Sequence, residues 1–158
     1  MRGVVTSGSE SFSEFVADHG ARIQHGLMAL LGPEFGRDAA AEALSYGWEH
    51  WERVGAMDNA AGYLFVVGRN RGRRMTTRPV FPPVRRPEDG APWVEPGLPA
   101  ALASLSERQL VATLLVHGGG WSYLEVADLL GLDRGTVKKH ADRGLEKLRS
   151  AMEVNVDA

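Results

Sequence analysis

Cysteine is absent from the 158 residues, which excludes disulfides and thiolate metal sites and is compatible with a reducing cytosol. Long apolar runs are absent as well. The most apolar windows, such as "QLVATLLV", are far too short to cross a bilayer, and the opening "MRGVVTSGSES" lacks the apolar stretch of a signal peptide. A cytoplasmic location is therefore expected. No alternation of strand period outcompetes the helical periods, and there is no internal repeat. The 5 histidines are scattered, and there is no nucleophile elbow, phosphate loop or carboxylate pair in an apolar setting. An enzyme is the class with least support, and no cofactor, metal or small-molecule substrate is expected. A formal net charge of −2 excludes a uniformly basic nucleic-acid coat but leaves room for a local basic face.

What is present is unevenly distributed. Residues 1–62 hold 9 acids against 4 arginines, whereas residues 69–86 hold 7 arginines and no acid. Past residue 96 the charge is nearly balanced, with cations bunched between Arg134 and Arg149. Residues 1–10, rich in Ser and Gly, read as a flexible tail. An apolar stripe at three-and-four spacing then runs from Phe12 through Ile23 and Leu27 to Leu31, until "LGPEFG" breaks it. A second helix is predicted from about Asp38 to Arg53, with Trp48 and Trp51 turned inward. Asn59 is placed to cap a third, "AAGYLFVVGRNRGRRM". Of the 8 prolines, 7 lie between Pro79 and Pro99, and such a stretch holds neither helix nor inner strand. Helical patterning resumes at Leu98. The fold class is all-α: two small helical domains, 11–75 and 98–153, joined by a Pro-rich linker at 76–97.

The most informative stretch is "WSYLEVADLLGLDRGTVKKHADRGLEKLR" at 121–149. "SYLE" matches a capping box, in which the Ser hydroxyl and the Glu carboxylate satisfy each other's backbone amides at a helix start. Val126, Leu129 and Leu130 form the stripe to be buried, Gly131 suits the left-handed residue after a helix, and Asp133 caps the next one. This is the helix-turn-helix design, where one helix braces and the next lies in the major groove. Candidate DNA-binding residues here are Ser122, Arg134, Thr136, Lys138, Lys139, His140 and Arg143. Arg and Lys suit phosphates, and Thr136, Lys139 and His140 suit base edges.

Residues 106–149 resemble region four of the sigma-70 family, in particular its compact extracytoplasmic-function members. Arg108, Gln109, Ser122, Glu125, Ala127, Gly131, Gly135, Thr136, Val137, Lys138, Arg143, Leu148 and Arg149 fall on that pattern. "FSEFVADHGARIQHGLMALLGPEFGRDAAAEALSYGWEHW" and "NAAGYLFVVGRNRGRR" resemble region two, with Asp38, Glu42, Ala43, Trp48 and Asn70 in place. The resemblance implies a factor that docks on core RNA polymerase through Asp38 and Glu42 and reads the −35 element of promoter DNA with its second domain. It also implies that the first domain opens the −10 element, with Asp58 and Asn59 at a base pocket and Arg69, Asn70, Arg73 and Arg74 along the strand. An anti-sigma factor is the implied regulator. Ala41 and Arg37 stand where the family usually has Gln and Glu, Tyr63 where it has Trp, and Gly144 softens the last helix by about 1 kcal/mol relative to Ala. Two rivals follow from the same residues. One is a helix-turn-helix regulator that binds an operator without polymerase. The other is a sigma-like adaptor that no longer opens promoters.

Overall fold

The computed structural model describes the backbone of residues 4–77, 79–81 and 96–156, with side chains at 11–77, 79–81 and 96–153. The "PVRRP" segment and most of the predicted linker lie outside the described residues. Every regular element among those described is helical: α1 (Val4–Leu31), α2 (Pro33–Glu49), α3 (Trp51–Val54), α4 (Ala60–Met75), α5 (Leu98–Ala103), α6 (Glu107–Thr113), α7 (Tyr123–Leu130) and α8 (Arg134–Val156). A π-helical turn, Leu114–Gly118, continues α6.

The N-terminal half differs from the sequence expectation in three places. First, α1 begins at Val4, so most of the segment read as a tail is helix. Once a helix is anchored by packing further along, adding turns at its end is cheap compared with nucleating it. Second, α2 begins at Pro33 rather than near Asp38. Proline at the first helical position loses nothing, because that N–H has no intrahelical partner, and its fixed φ suits the helix. Third, the predicted second helix breaks at His50, leaving Trp51–Val54 as a separate turn. Trp48, still within α2, is not a core residue: it is 49% exposed and leans on Phe12, ring centroids 5.4 Å apart. Trp51 is partly buried, with its ring 5.1 Å from Phe12 and 4.9 Å from Phe15.

Small residues decide how these helices cross. The buried face of α2 is Gly36, Ala39, Ala40, Ala43 and Gly47. At Gly36 the two backbones come so close that a Cβ would stand 2.3 Å from the Cα of Met28. Asn59 caps α4 as predicted, its Oδ1 accepting from the Gly62 N–H at 2.8 Å. Leu64 and Phe65 of α4 close the core over Ile23 and Leu27 of α1.

In the C-terminal half Ser106 and Gln109 form a capping box at the start of α6. The close approach of α8 to α6 gives Gly144 a use that propensity alone does not reveal. A Cβ there would fall 1.9 Å from the Thr113 hydroxyl oxygen. Ala101, Leu102, Leu105, Leu110 and Leu148 form a small core of their own, against which Phe81 packs. The larger core draws on residues of both halves of the chain. It joins Ile23, Leu27, Leu30 and Phe65 to Val111, Leu115, Val126, Leu129 and Val137.

Candidate nucleic-acid interface

The helix-turn-helix is built as the spacing predicts. Glu125 N–H donates to the Ser122 hydroxyl at 3.1 Å, and Ser122 N–H donates to the Glu125 carboxylate at 2.9 Å. Gly131 ends α7 in the left-handed region, φ 65° and ψ 36°, and Leu132 N–H returns to the Ala127 carbonyl at 3.0 Å. Asp133 then caps α8, accepting from the Thr136 backbone N–H at 2.9 Å and from the Thr136 hydroxyl. Val137 and Ala141 are fully buried, which fixes the rotation of α8 about its axis. That rotation leaves Arg134, Lys138, Lys139 and Arg143 exposed, with Thr136 and His140 half-buried between them.

Thr136, His140 and Arg143 are spaced four and three apart, so they share one stripe, and Lys139 flanks it. Lys138 is tied along the helix to Asp142 at 2.6 Å, which raises its pKa. His140 is pushed the other way. Burial comes first, then the charges of Arg108 and Arg143, so its imidazole stays neutral at neutral pH and is free to hydrogen-bond. Its Nδ1 is buried with no partner in the free chain. Ser122 is placed differently from the other candidates, because its hydroxyl and its N–H are both engaged in the capping box.

The carboxylates that hold the motif together titrate below their ordinary range. The Ser122 N–H, then its hydroxyl, lowers Glu125; the Thr136 hydroxyl, then its N–H, lowers Asp133. A folded-state pKa below the unfolded one means stability that is present above the unfolded value and lost as pH falls through the folded one. The melting temperature should therefore drop below about pH 4, and Glu125→Gln should flatten part of that acid limb. Parallel acid limbs for the two proteins in thermal melts would refute this.

The N-terminal candidates divide into two groups. Asn70 and Arg74 point outward on α4 and are exposed. Arg69, Arg73 and Asn59 instead face the C-terminal half. Arg69 lines a small pocket together with Arg108, Val111 and Leu130, its Nε buried without a partner, and Arg73 pairs with Glu107 at 2.6 Å. The Asn59 amide donates to the Asp128 carbonyl. Beside Asp58 and Asn59 lies an open cleft of about 360 Å³, walled by Phe15, Asp18, Trp51 and Met57.

Of the two acidic candidates, Asp38 is exposed and Glu42 is paired with Arg71 at 3.4 Å. Arg71 also lies over the Tyr46 ring, 5.4 Å from its centroid, and Arg53 donates to the Tyr46 hydroxyl at 2.6 Å. Arg22, Arg53, Arg71 and Glu107 were not singled out by the sequence. Each draws its meaning from a partner remote in the chain or on another helix, which no local spacing announces.

Comparison with known proteins agrees with this architecture. Residues 97–148 match the family described as sigma-70, region 4. No curated protein matches the chain. Among solved structures, the chain is similar to the sigma factor RpoE of Bartonella quintana, determined in complex with the anti-sigma factor NepR. The identity is 21% over 90% of this chain and 97% of that one, with a TM-score of 0.60. Among the described residues, no helix is long and apolar enough to cross a membrane.

Proposed function

We propose that this chain, whose residues 97–148 match sigma-70 region 4 and whose fold is similar to that of a solved sigma factor, is an extracytoplasmic-function sigma factor directing core RNA polymerase to promoters. The observation that carries this is the exposed basic face of α8, held by two capped helix starts in the segment matching region 4. Thr136, Lys139 and His140 read bases of the −35 element, while Arg134, Lys138 and Arg143 position the helix on phosphates. The cleft beside Asp58 and Asn59 is roomy enough for an unstacked base, and Trp51 and Phe15 supply stacking surface. Arg69, Asn70, Arg73 and Arg74 follow the −10 strand. Asp38 and Glu42 meet cations of the polymerase. The chain has two helical domains, near 11–75 and 98–153, so the two promoter elements are gripped by linked modules and avidity rises without new contacts. The solved relative's partner supports an anti-sigma factor as the regulator here too.

The test is in-vitro transcription with purified core enzyme on genomic fragments, followed by mapping of start sites. Discrete starts that depend on this chain are the expected result. Operator binding in the absence of polymerase, with no starts, would replace the reading with that of a regulator. Polymerase binding without run-off product would replace it with that of an adaptor.

A further inference from the structure

A cavity of about 50 Å³ lies where α4 meets α6, and Arg69, Arg108 and Glu107 line it together with the buried side chains of Leu30, Phe65 and Val111. We propose that this cavity is a binding site for a small phosphate monoester, whose dianionic phosphoryl group sits between the Arg69 and Arg108 guanidinia. The site rests on geometry and charge alone. Only its effect on promoter opening rests on the sigma reading.

The charge lining the cavity is unbalanced. Glu107 is already engaged: it pairs at 2.6 Å with Arg73, which follows Arg69 by one turn on the same face of α4. Arg69 and Arg108 carry no ion pair among the described residues. The Arg69 Nε is buried and has no acceptor, and a buried donor left without a partner is costly. After burial, it is the Arg108 charge that opposes protonation of His140 on α8. Two unpaired guanidinia match a dianion. A carboxylate would leave one of the charges unmet, and a neutral ligand both. Guanidinium groups meet phosphate oxygens in bidentate pairs, and a tetrahedral group accepts from two such forks on different helices at once.

Size and surroundings select a monoester. The cavity holds several water-sized groups, enough for a phosphoryl group but not for a nucleic-acid strand. A second cavity, of about 200 Å³, shares Leu30 and Glu107 with the first, and Leu31, Leu105 and Leu110 give it apolar walls. A ligand with its phosphate in the smaller cavity and a compact apolar body in the larger one fills both. Binding gives the Arg69 Nε the acceptor it lacks and ties α4 to α6. On the sigma reading Arg69 follows the −10 strand, so the bound monoester competes with that strand for Arg69.

The probe is phenyl phosphate, titrated into the full chain. Binding is read by phosphorus NMR line broadening and by the rise in melting temperature that a ligand of the folded state produces. The expected result is saturable one-to-one binding, about tenfold tighter than that of inorganic phosphate, which lacks the apolar body, and of benzoate, read by competition, which carries a single charge. Arg69→Leu and Arg108→Leu should each weaken it by about tenfold or more. Arg69→Leu removes the orphaned donor, so the fold does not suffer, and Arg37→Ala, at an exposed position of α2, should leave binding unchanged. Glu107→Gln should tighten binding by about fivefold, because it takes a like charge from the cavity wall and frees Arg73. A gain of affinity cannot come from misfolding. The site is overturned if phenyl phosphate does not bind, if Arg69→Leu and Arg108→Leu bind it as well as the unmodified chain, or if Glu107→Gln weakens it. An oligothymidylate without terminal phosphates tests the other source of phosphate. It should not displace phenyl phosphate, and displacement would assign the two arginines to a nucleic-acid strand instead. Failure of promoter-specific transcription would overturn the sigma reading alone, since the titration of the free chain does not depend on it.

Discussion

Replacing Gly36 by Ala should destabilise the protein by about 3 kcal/mol, although local propensity predicts a gain of about 1 kcal/mol for the same change inside a helix. The sign is decided by what the added methyl meets. It would lie 2.3 Å from the Met28 Cα, 2.4 Å from its N and 2.7 Å from the Leu27 carbonyl carbon. All three are backbone atoms of α1, so no side chain can turn aside to make room. The helices would have to separate, and the buried faces of Ala39, Ala40 and Ala43 would lose contact with α1 along the same stripe. Denaturant unfolding followed by far-UV dichroism measures the change. A midpoint equal to or above that of the unmodified protein would refute the close crossing.

Reversing two charges on α8, with Lys139→Glu and Arg143→Glu together, should leave folding intact and weaken binding to promoter DNA by about a hundredfold or more at low salt. Both side chains are exposed and neither is engaged with an acid among the described residues, so their cost to the folded state is small. On DNA each would replace a counterion, so the slope of log affinity against log salt should become shallower by about two. Lys138 is the poorer target, since Asp142 already neutralises part of its charge at 2.6 Å. Fluorescence anisotropy on a duplex carrying a mapped −35 region, with core polymerase present, gives both quantities. An unchanged slope would show that this face of α8 does not meet phosphates.

Much of the C-terminal half was legible because its signals are short-range. Ser122 and Glu125 are three apart, Gly131 follows the last apolar turn, and Asp133 precedes Thr136 by three; each pair closes its hydrogen bond within one turn. The Asn59 cap was legible for the same reason. Pro33 misled because proline breaks a helix in its interior but fits at its first position, and the two cases look alike in "LGPEFG". Trp48 and Trp51 were read as one inward stripe. Both rings reach Phe12, but only Trp51 is partly buried, and nothing in the local spacing marks the break at His50 that separates them. The seam between the halves was the least legible feature. Arg22 and Glu125 are 103 positions apart, and neither carries a mark of the other.

The shared core has a calorimetric consequence. Ile23 and Leu27 are buried in one cluster with Val126 and Val137, so neither half reaches its full burial while the other is detached. Heating the free protein should therefore melt both halves in one endotherm whose van't Hoff and measured enthalpies agree. Held apart, each half would have only its own contacts to lose and would melt on its own schedule.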